Sequence, residues 1–123
     1  MSDLPSENVR AWGFYTILET HPGYQVKRHT VYPGKRNSYQ RHQRRSEFWI
    51  VVEGLCHATI DGVVIEAKVG EVISVPVGSK HRWSNEQTEN LVIIEIQTGD
   101  YFGEDDIERF EDDFGRAGKI TPN

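Results

Sequence analysis

Residues 40 to 49, QRHQRRSEFW, set a histidine, a glutamate and two glutamines among three arginines, then run into the apolar stretch IVV. On an extended strand residues i and i+2 share a face, which makes Gln40 and His42 neighbours. Glu47 opens the next strand, with Trp49 and Val51 on its face. Some forty residues further on, GEVISVPVGSKHRWSN (70 to 85) presents His81 after a Pro-x-Gly turn. One amide, two imidazoles and a carboxylate make an oxygen and nitrogen donor set suited to a divalent transition metal. A lone histidine is more often a satisfied polar residue than a ligand. It is the set that points to a metal.

The elements that must position these residues read as short strands. At 123 residues the chain is expected to be one domain, large enough to bury a core without disulfides. Its composition, 37% hydrophobic and 27% charged, is that of an ordinary soluble domain. Candidate strands cover 13 to 18, 24 to 32, 47 to 53, 56 to 60, 63 to 67, 72 to 75, 81 to 84 and 91 to 97. The DG at 61 to 62, between ATI and VVI, marks a tight hairpin. Many short strands at close spacing predict an all-β antiparallel sandwich or barrel. In GEDDIERFEDDFGR (103 to 116), Ile107, Phe110 and Phe114 recur at helical spacing. Acids crowd its start and Gly115 stands as a C-terminal cap, so a short C-terminal helix is expected there. Residues 1–9 and 119–123 read as flexible termini around a domain at 10–118.

Charge and composition narrow the function classes. No apolar run approaches the roughly 20 residues that span a bilayer, and MSDLPSENVR has no signal-peptide character. The single cysteine, Cys56, reads as a small buried hydrophobe, and a cytoplasmic location is expected. A formal net charge of −5 argues against a general nucleic-acid binder. The charge is uneven, however. Lys35, Arg36, Arg41, Arg44 and Arg45 form a basic island, and seven acids lie between Glu104 and Asp113. A basic island in an acidic chain suits a small anionic ligand; the alternative is a solvated charged face.

The spacing resembles the two motifs of the cupin superfamily, G-x5-H-x-H-x(3,4)-E-x6-G and G-x5-P-x-G-x2-H-x3-N. Gly34, Gln40, His42, Glu47 and Gly54 fill the first, with Gln40 in place of the usual histidine. Gly70, Pro76, Gly78, His81 and Asn85 fill the second. Nearly the whole chain, from RAWGFY at 10 to 15 to FGR at 114 to 116, resembles the type II mannose-6-phosphate isomerase domain. That domain forms the C-terminal part of bifunctional mannose-1-phosphate guanylyltransferase/isomerase enzymes, and it carries glutamine at the position of Gln40. The family reads Gln-x-His-x-His-Arg-x-Glu-His-Trp through the first motif, so Arg44 and Phe48 each replace a histidine. Strand parity puts Phe48 opposite Glu47, facing away from the metal.

The resemblance implies a double-stranded β-helix, a jelly-roll-like barrel, holding a metal through Gln40, His42, Glu47 and His81. Zinc is the first choice, with manganese, iron, cobalt or nickel as others. The implied reaction interconverts mannose 6-phosphate and fructose 6-phosphate through an enediol. That needs a base at the carbon acid and an electrophile at the developing oxyanion. Lys27, on the inward face of its strand with His29 and Val31, and Arg45, Lys80 and Arg82, flanking the ligands, are candidates for substrate or oxyanion contact. Arg10 and Tyr101 are further substrate candidates. Trp12, Trp49 and Trp83 read as core. The general base stays open between a metal-bound water, His81 and Lys27. A non-catalytic cupin module that binds a sugar or sugar phosphate is the alternative reading. An iron-dependent dioxygenase is a third, disfavoured by Gln40. By analogy with small cupins a homodimer is expected, through FWIVV or the N-terminal strand.

Overall fold

The computed structural model of the chain describes residues 7–115. Eleven strands follow one another: β1 (Glu7–Arg10), β2 (Gly13–His21), β3 (Tyr24–Val31), β4 (Tyr39–Arg41), β5 (Arg45–Glu53), β6 (Cys56–Ile60), β7 (Val63–Ala67), β8 (Val72–Val75), β9 (His81–Ser84), β10 (Leu91–Gly99) and β11 (Glu108–Glu111). They form two antiparallel sheets, β1-β2-β3-β10-β5-β8 and β11-β4-β9-β6-β7. All eight strands expected from the sequence form. Strand β1 begins at Glu7, so the expected domain boundary at residue 10 falls inside a strand. Residues 119–123 lie outside the described residues.

Turn chemistry sets the hairpins. Asp61 and Gly62 both have positive φ, 47° and 83°, as a tight two-residue turn with the twist of its flanking strands requires. The Asp61 carboxylate accepts from Lys80 N at 2.8 Å, which ties this hairpin to the chain just before His81.

Among the described residues the expected C-terminal helix is not present: residues 108–111 form strand β11, paired with β4. Burial alternates along it, with Ile107 and Arg109 buried and Glu108 and Glu111 exposed. The acids that suggested a helix start have partners elsewhere in the fold. Glu104 pairs with Lys27, and the Asp106 carboxylate accepts from the backbone amides of Gln43 and Arg44. An open sheet edge and these partners outweigh the weak helical propensity of the segment.

The interior between the sheets changes character along its length. The inward positions of β10 read Leu91, Ile93, Glu95, Gln97, facing Val31, His29, Lys27 and Gln25 of β3. On β5 the inward series is Arg45, Glu47, Trp49, Val51. One end is therefore an apolar core, where Trp83 packs edge-on against Trp12 and Trp49 at 5.6 and 5.1 Å. All three tryptophans are core residues, as expected. The other end is lined with charged and amide groups, and there the site is built.

Candidate metal centre

Three strands deliver the donor set. Glu47 points inward from the start of β5, and His81 opens β9. Gln40, on β4, stands directly opposite His81 in register, and His42 follows one residue after β4 ends. The Pro76–Gly78 turn is bound to the same place, since Gly78 N donates to the His42 carbonyl at 2.9 Å. Candidate ligand atoms of His42, Glu47 and His81 all lie within 4.8 Å of one another, and all three residues are buried.

The orientation of both imidazoles is fixed from behind. His42 Nδ1 donates to the Asp106 carbonyl at 2.6 Å and His81 Nδ1 to the Ser79 carbonyl at 2.9 Å. A carbonyl can only accept, so a ring proton sits on each Nδ1, and in the neutral imidazole Nε2 is the atom that carries the lone pair. Those atoms face the two Glu47 oxygens, His42 Nε2 at 3.4 Å and His81 Nε2 at 3.7 Å. His81 Nε2 is buried with no hydrogen-bond partner. Two imidazole Nε2 atoms aimed into the interior beside a carboxylate, each ring braced by a carbonyl, fit a divalent metal. Gln40 lines the same small cavity as Glu47, and its Oε1 accepts from Ser38 Oγ at 3.2 Å.

The electrostatics suit the same species. Burial pushes His42 down to about 4, with Arg45 and His81 adding to it, so the ring is neutral and able to ligate. Burial alone would raise the Glu47 carboxyl, but Arg45, His81 and His42 hold it well below the usual range. Arg45 Nε donates to Glu47 Oε2 at 2.8 Å, and Trp49 Nε1 donates to Oε1 at 2.9 Å. Arg45 also donates from Nη2 to His42 Nε2 at 3.0 Å.

Behind Glu47 lies a polar layer that strand parity could have revealed. Burial and the neighbouring Glu47 push the Glu95 carboxyl well above its ordinary value. Glu95 Oε1 accepts from Gln97 Nε2 at 2.9 Å and stands 2.8 Å from His29 Nε2, and Gln25 Nε2 donates to Gln97 at 3.0 Å. In LVIIEIQ the inward series Leu, Ile, Glu, Gln carries this signal.

The remaining sequence-predicted residues separate into two groups. Lys27 is inside, 2% exposed, with Nζ 3.3 Å from Glu104 and 4.3 Å above the Tyr15 ring. Arg45 is inside as described. Lys80 and Arg82 are not brought to the centre. Alternation along β9 puts His81 inward and Arg82 on the opposite face, where it lines a groove of about 410 Å³ with Arg36, Tyr39 and His57. Lys80 Nζ lies 4.3 Å over the Phe110 ring. Arg10 donates to the Tyr15 hydroxyl at 3.2 Å. Tyr101 lies beneath the Arg44 guanidinium, 4.7 Å from its ring centre, and donates to Asp105. Arg44, one of the two replacements of a family histidine, is half-exposed and paired with Asp100, outside the donor set. Phe48 is on the outer face, 41% exposed.

A family model described as "Mannose-6-phosphate isomerase C-terminal" matches residues 2–112. The chain belongs to this family. Among curated relatives, the alginate biosynthesis protein AlgA of Pseudomonas aeruginosa is 43% identical over 111 residues, 90% of this chain and 23% of that protein. The mannose-1-phosphate guanylyltransferase ManC of Salmonella typhimurium is likewise 43% identical over 111 residues, with the same coverage. This member of the family thus spans less than a quarter of the length of those relatives. Among solved structures, the capsular polysaccharide assembling protein CapF of Staphylococcus aureus superposes with a TM-score of 0.76. It is 25% identical, covering 89% of this chain and 32% of that one. An RmlC-like cupin from Shewanella frigidimarina superposes at 0.70 with 19% identity, covering 80% and 87%, which shows the cupin fold.

Proposed function

We propose that the protein is a metal-dependent isomerase that interconverts mannose 6-phosphate and fructose 6-phosphate through an enediol. The observation that carries this reading is the convergence of two braced imidazole lone pairs and the Glu47 carboxylate in a buried, cation-lined interior. His42, Glu47 and His81, with Gln40 as fourth donor, would hold the metal, for which zinc is the first choice. When bound, the ion supplies a Lewis acid for the sugar's carbonyl and hydroxyl oxygens. The chain's own groups do the rest. Arg45 and Lys27 supply positive charge to the developing oxyanion and to the phosphate. Trp49 and Trp83 wall the site against the core, keeping it dry. Glu95 and His29 hold Glu47 from behind through a neutral hydrogen-bonded layer.

Of the other candidate substrate contacts, Lys80, Arg82 and Tyr101 have their contacts away from the donor set, and Arg10 meets Tyr15 rather than the donors, so these four carry less of this reading. A cytoplasmic homodimer belongs to the same proposal. It is supported by the apolar outer positions Phe48 and Val52 of β5, and Val72 of β8, all exposed.

One observation favours the alternative of a non-catalytic metal-containing module: the cavity beside Glu47 measures only about 10 Å³. Supplying the metal-loaded protein with mannose 6-phosphate and, separately, glucose 6-phosphate separates the two. Coupled detection of fructose 6-phosphate from the mannose ester supports the isomerase. No product from either, with zinc, manganese, iron, cobalt and nickel returned in turn, leaves the binding module.

A further inference from the structure

The cavity beside Glu47 has room for about one water molecule, whereas sites for small organic ligands occupy roughly 300–1,000 Å³. A sugar can reach the donor set only if part of the wall moves. Eight of the nine residues lining the cavity are no more than 4% exposed. The ninth is Glu104, whose side chain is 19% exposed. It is the lining residue that reaches solvent, and so it marks the way in.

Glu104 also faces both cations that line the cavity, Lys27 as its ion-pair partner and Arg45, whose closer partner is Glu47, at longer range. Its Oε1 lies 3.3 Å from Lys27 Nζ, and its Oε2 lies 3.7 Å from Arg45 Nη1. The second contact is too long for a hydrogen bond, and Nη1 and Oε2 are both buried without a partner. One flat carboxylate does not satisfy both cations. A tetrahedral oxyanion offers more acceptors and more charge, and would satisfy them better.

The segment that carries Glu104 is tied at its two ends to the backbone or side chain of Gln43 and Arg44. Between them its contacts with the barrel include the Arg44 guanidinium over the Tyr101 ring and the Glu104 ion pairs themselves. The Asp100 carboxylate accepts from the Arg44 side chain, and the Asp106 carboxylate accepts from the backbone amides of Gln43 and Arg44. The Asp106 carbonyl braces His42. Residues 101–105 can therefore swing while the brace on His42 stays in place.

We propose that Glu104 is an internal stand-in for the oxyanion of the substrate. Residues 101–105 form a gate, and an incoming phosphate group displaces Glu104 from Lys27 and Arg45 as it enters. This deepens the isomerase reading, since it takes the ligand to be a sugar phosphate, but its test does not depend on turnover.

The test is calorimetric titration of the metal-loaded protein with inorganic phosphate, mannose 6-phosphate and mannose, comparing wild type with Glu104→Gln and Lys27→Met. Removing the competing carboxylate should tighten both phosphate ligands about tenfold and leave mannose unchanged. Lys27→Met should lose most of the phosphate affinity while keeping the metal. In the wild type, hydrogen exchange at the amides of 101–105 should speed up on adding inorganic phosphate. Unchanged or weaker phosphate binding in Glu104→Gln overturns the proposal, as does unaltered exchange in 101–105. So does full phosphate affinity in Lys27→Met, which would put the anion on the metal or elsewhere. A protein without turnover that still shows the Glu104→Gln effect loses the isomerase and keeps the gate. Turnover without that effect does the reverse.

Discussion

Arg45 Nη2 stands 3.0 Å from His42 Nε2, so a guanidinium holds the lone pair that a metal ion would take. The same side chain donates to Glu47 Oε2, the second donor of the site. Cation and metal would draw on the same two side chains, and loading the site would require the guanidinium to give up His42.

Arg45→Met should therefore bind divalent metal more tightly, by roughly tenfold, because a positive charge a few ångströms from the ion is removed. Competition with a chromogenic chelator measures this. Turnover should fall in the same variant, since the oxyanion loses its partner. Weaker metal binding would mean that Arg45 acts chiefly to orient Glu47.

The pH dependence of folding isolates His29. Burial, aided by Lys27, pushes this imidazole down from 6.5 to about 3. Below pH 6.5 the unfolded chain takes up a proton that the fold refuses. Its contribution is complete above 6.5 and is lost as the pH falls toward 3. Glu95, whose raised carboxyl acts in the opposite sense, offsets part of this in the wild type. The difference between wild type and His29→Gln is thus the quantity to measure. In urea unfolding below pH 6.5, wild type should lose about 1.4 kcal/mol per pH unit relative to the variant. Parallel curves would place the proton elsewhere.

Arg44→His, which restores the family residue, should leave turnover and metal affinity unchanged. Arg44 points to solvent and pairs with Asp100, while the imidazoles and Glu47 lie inside the barrel. A large gain in turnover would bring position 44 into the site and contradict the placement described here.

Gly99→Ala tests how the polar end is held together. Gly99 pairs with Arg45 across β10 and β5, and a β-carbon there would collide with the Arg44 carbonyl. The strands would have to separate at the point where Arg45 enters the site. Thermal unfolding should show a loss of roughly 1–3 kcal/mol, with weakened metal binding. A variant as stable as wild type would mean that this end of the sheet is loose.

Much of this was legible in the sequence, and the failures have physical causes. The motif spacing singled out His42, Glu47 and His81, which the fold brings within 4.8 Å of one another, because side chains meeting from neighbouring strands need fixed separations along the chain. Strand parity placed Lys27 inside and Phe48 outside. The same parity should have turned Arg82 away, since it adjoins the inward His81. Strand β4, only three residues long, carries too little pattern to be seen, and it is known by its pairing with β9 and β11. The 103–116 segment shows helical spacing, yet its acids serve Lys27 and the amides of Gln43 and Arg44. Those partners are sixty or more residues away in the chain, and no local pattern encodes them. Glu104 was passed over for that reason.

The most direct single measurement is turnover of mannose 6-phosphate as zinc is titrated into metal-stripped protein, alongside His81→Ala. The rate of fructose 6-phosphate formation should rise in proportion to bound zinc and level off at one equivalent. His81→Ala, lacking one of the two braced imidazoles, should neither bind tightly nor turn over. One equivalent of metal bound at wild-type His42, Glu47 and His81, with no fructose 6-phosphate formed with zinc or with manganese, iron, cobalt or nickel in its place, would contradict the isomerase.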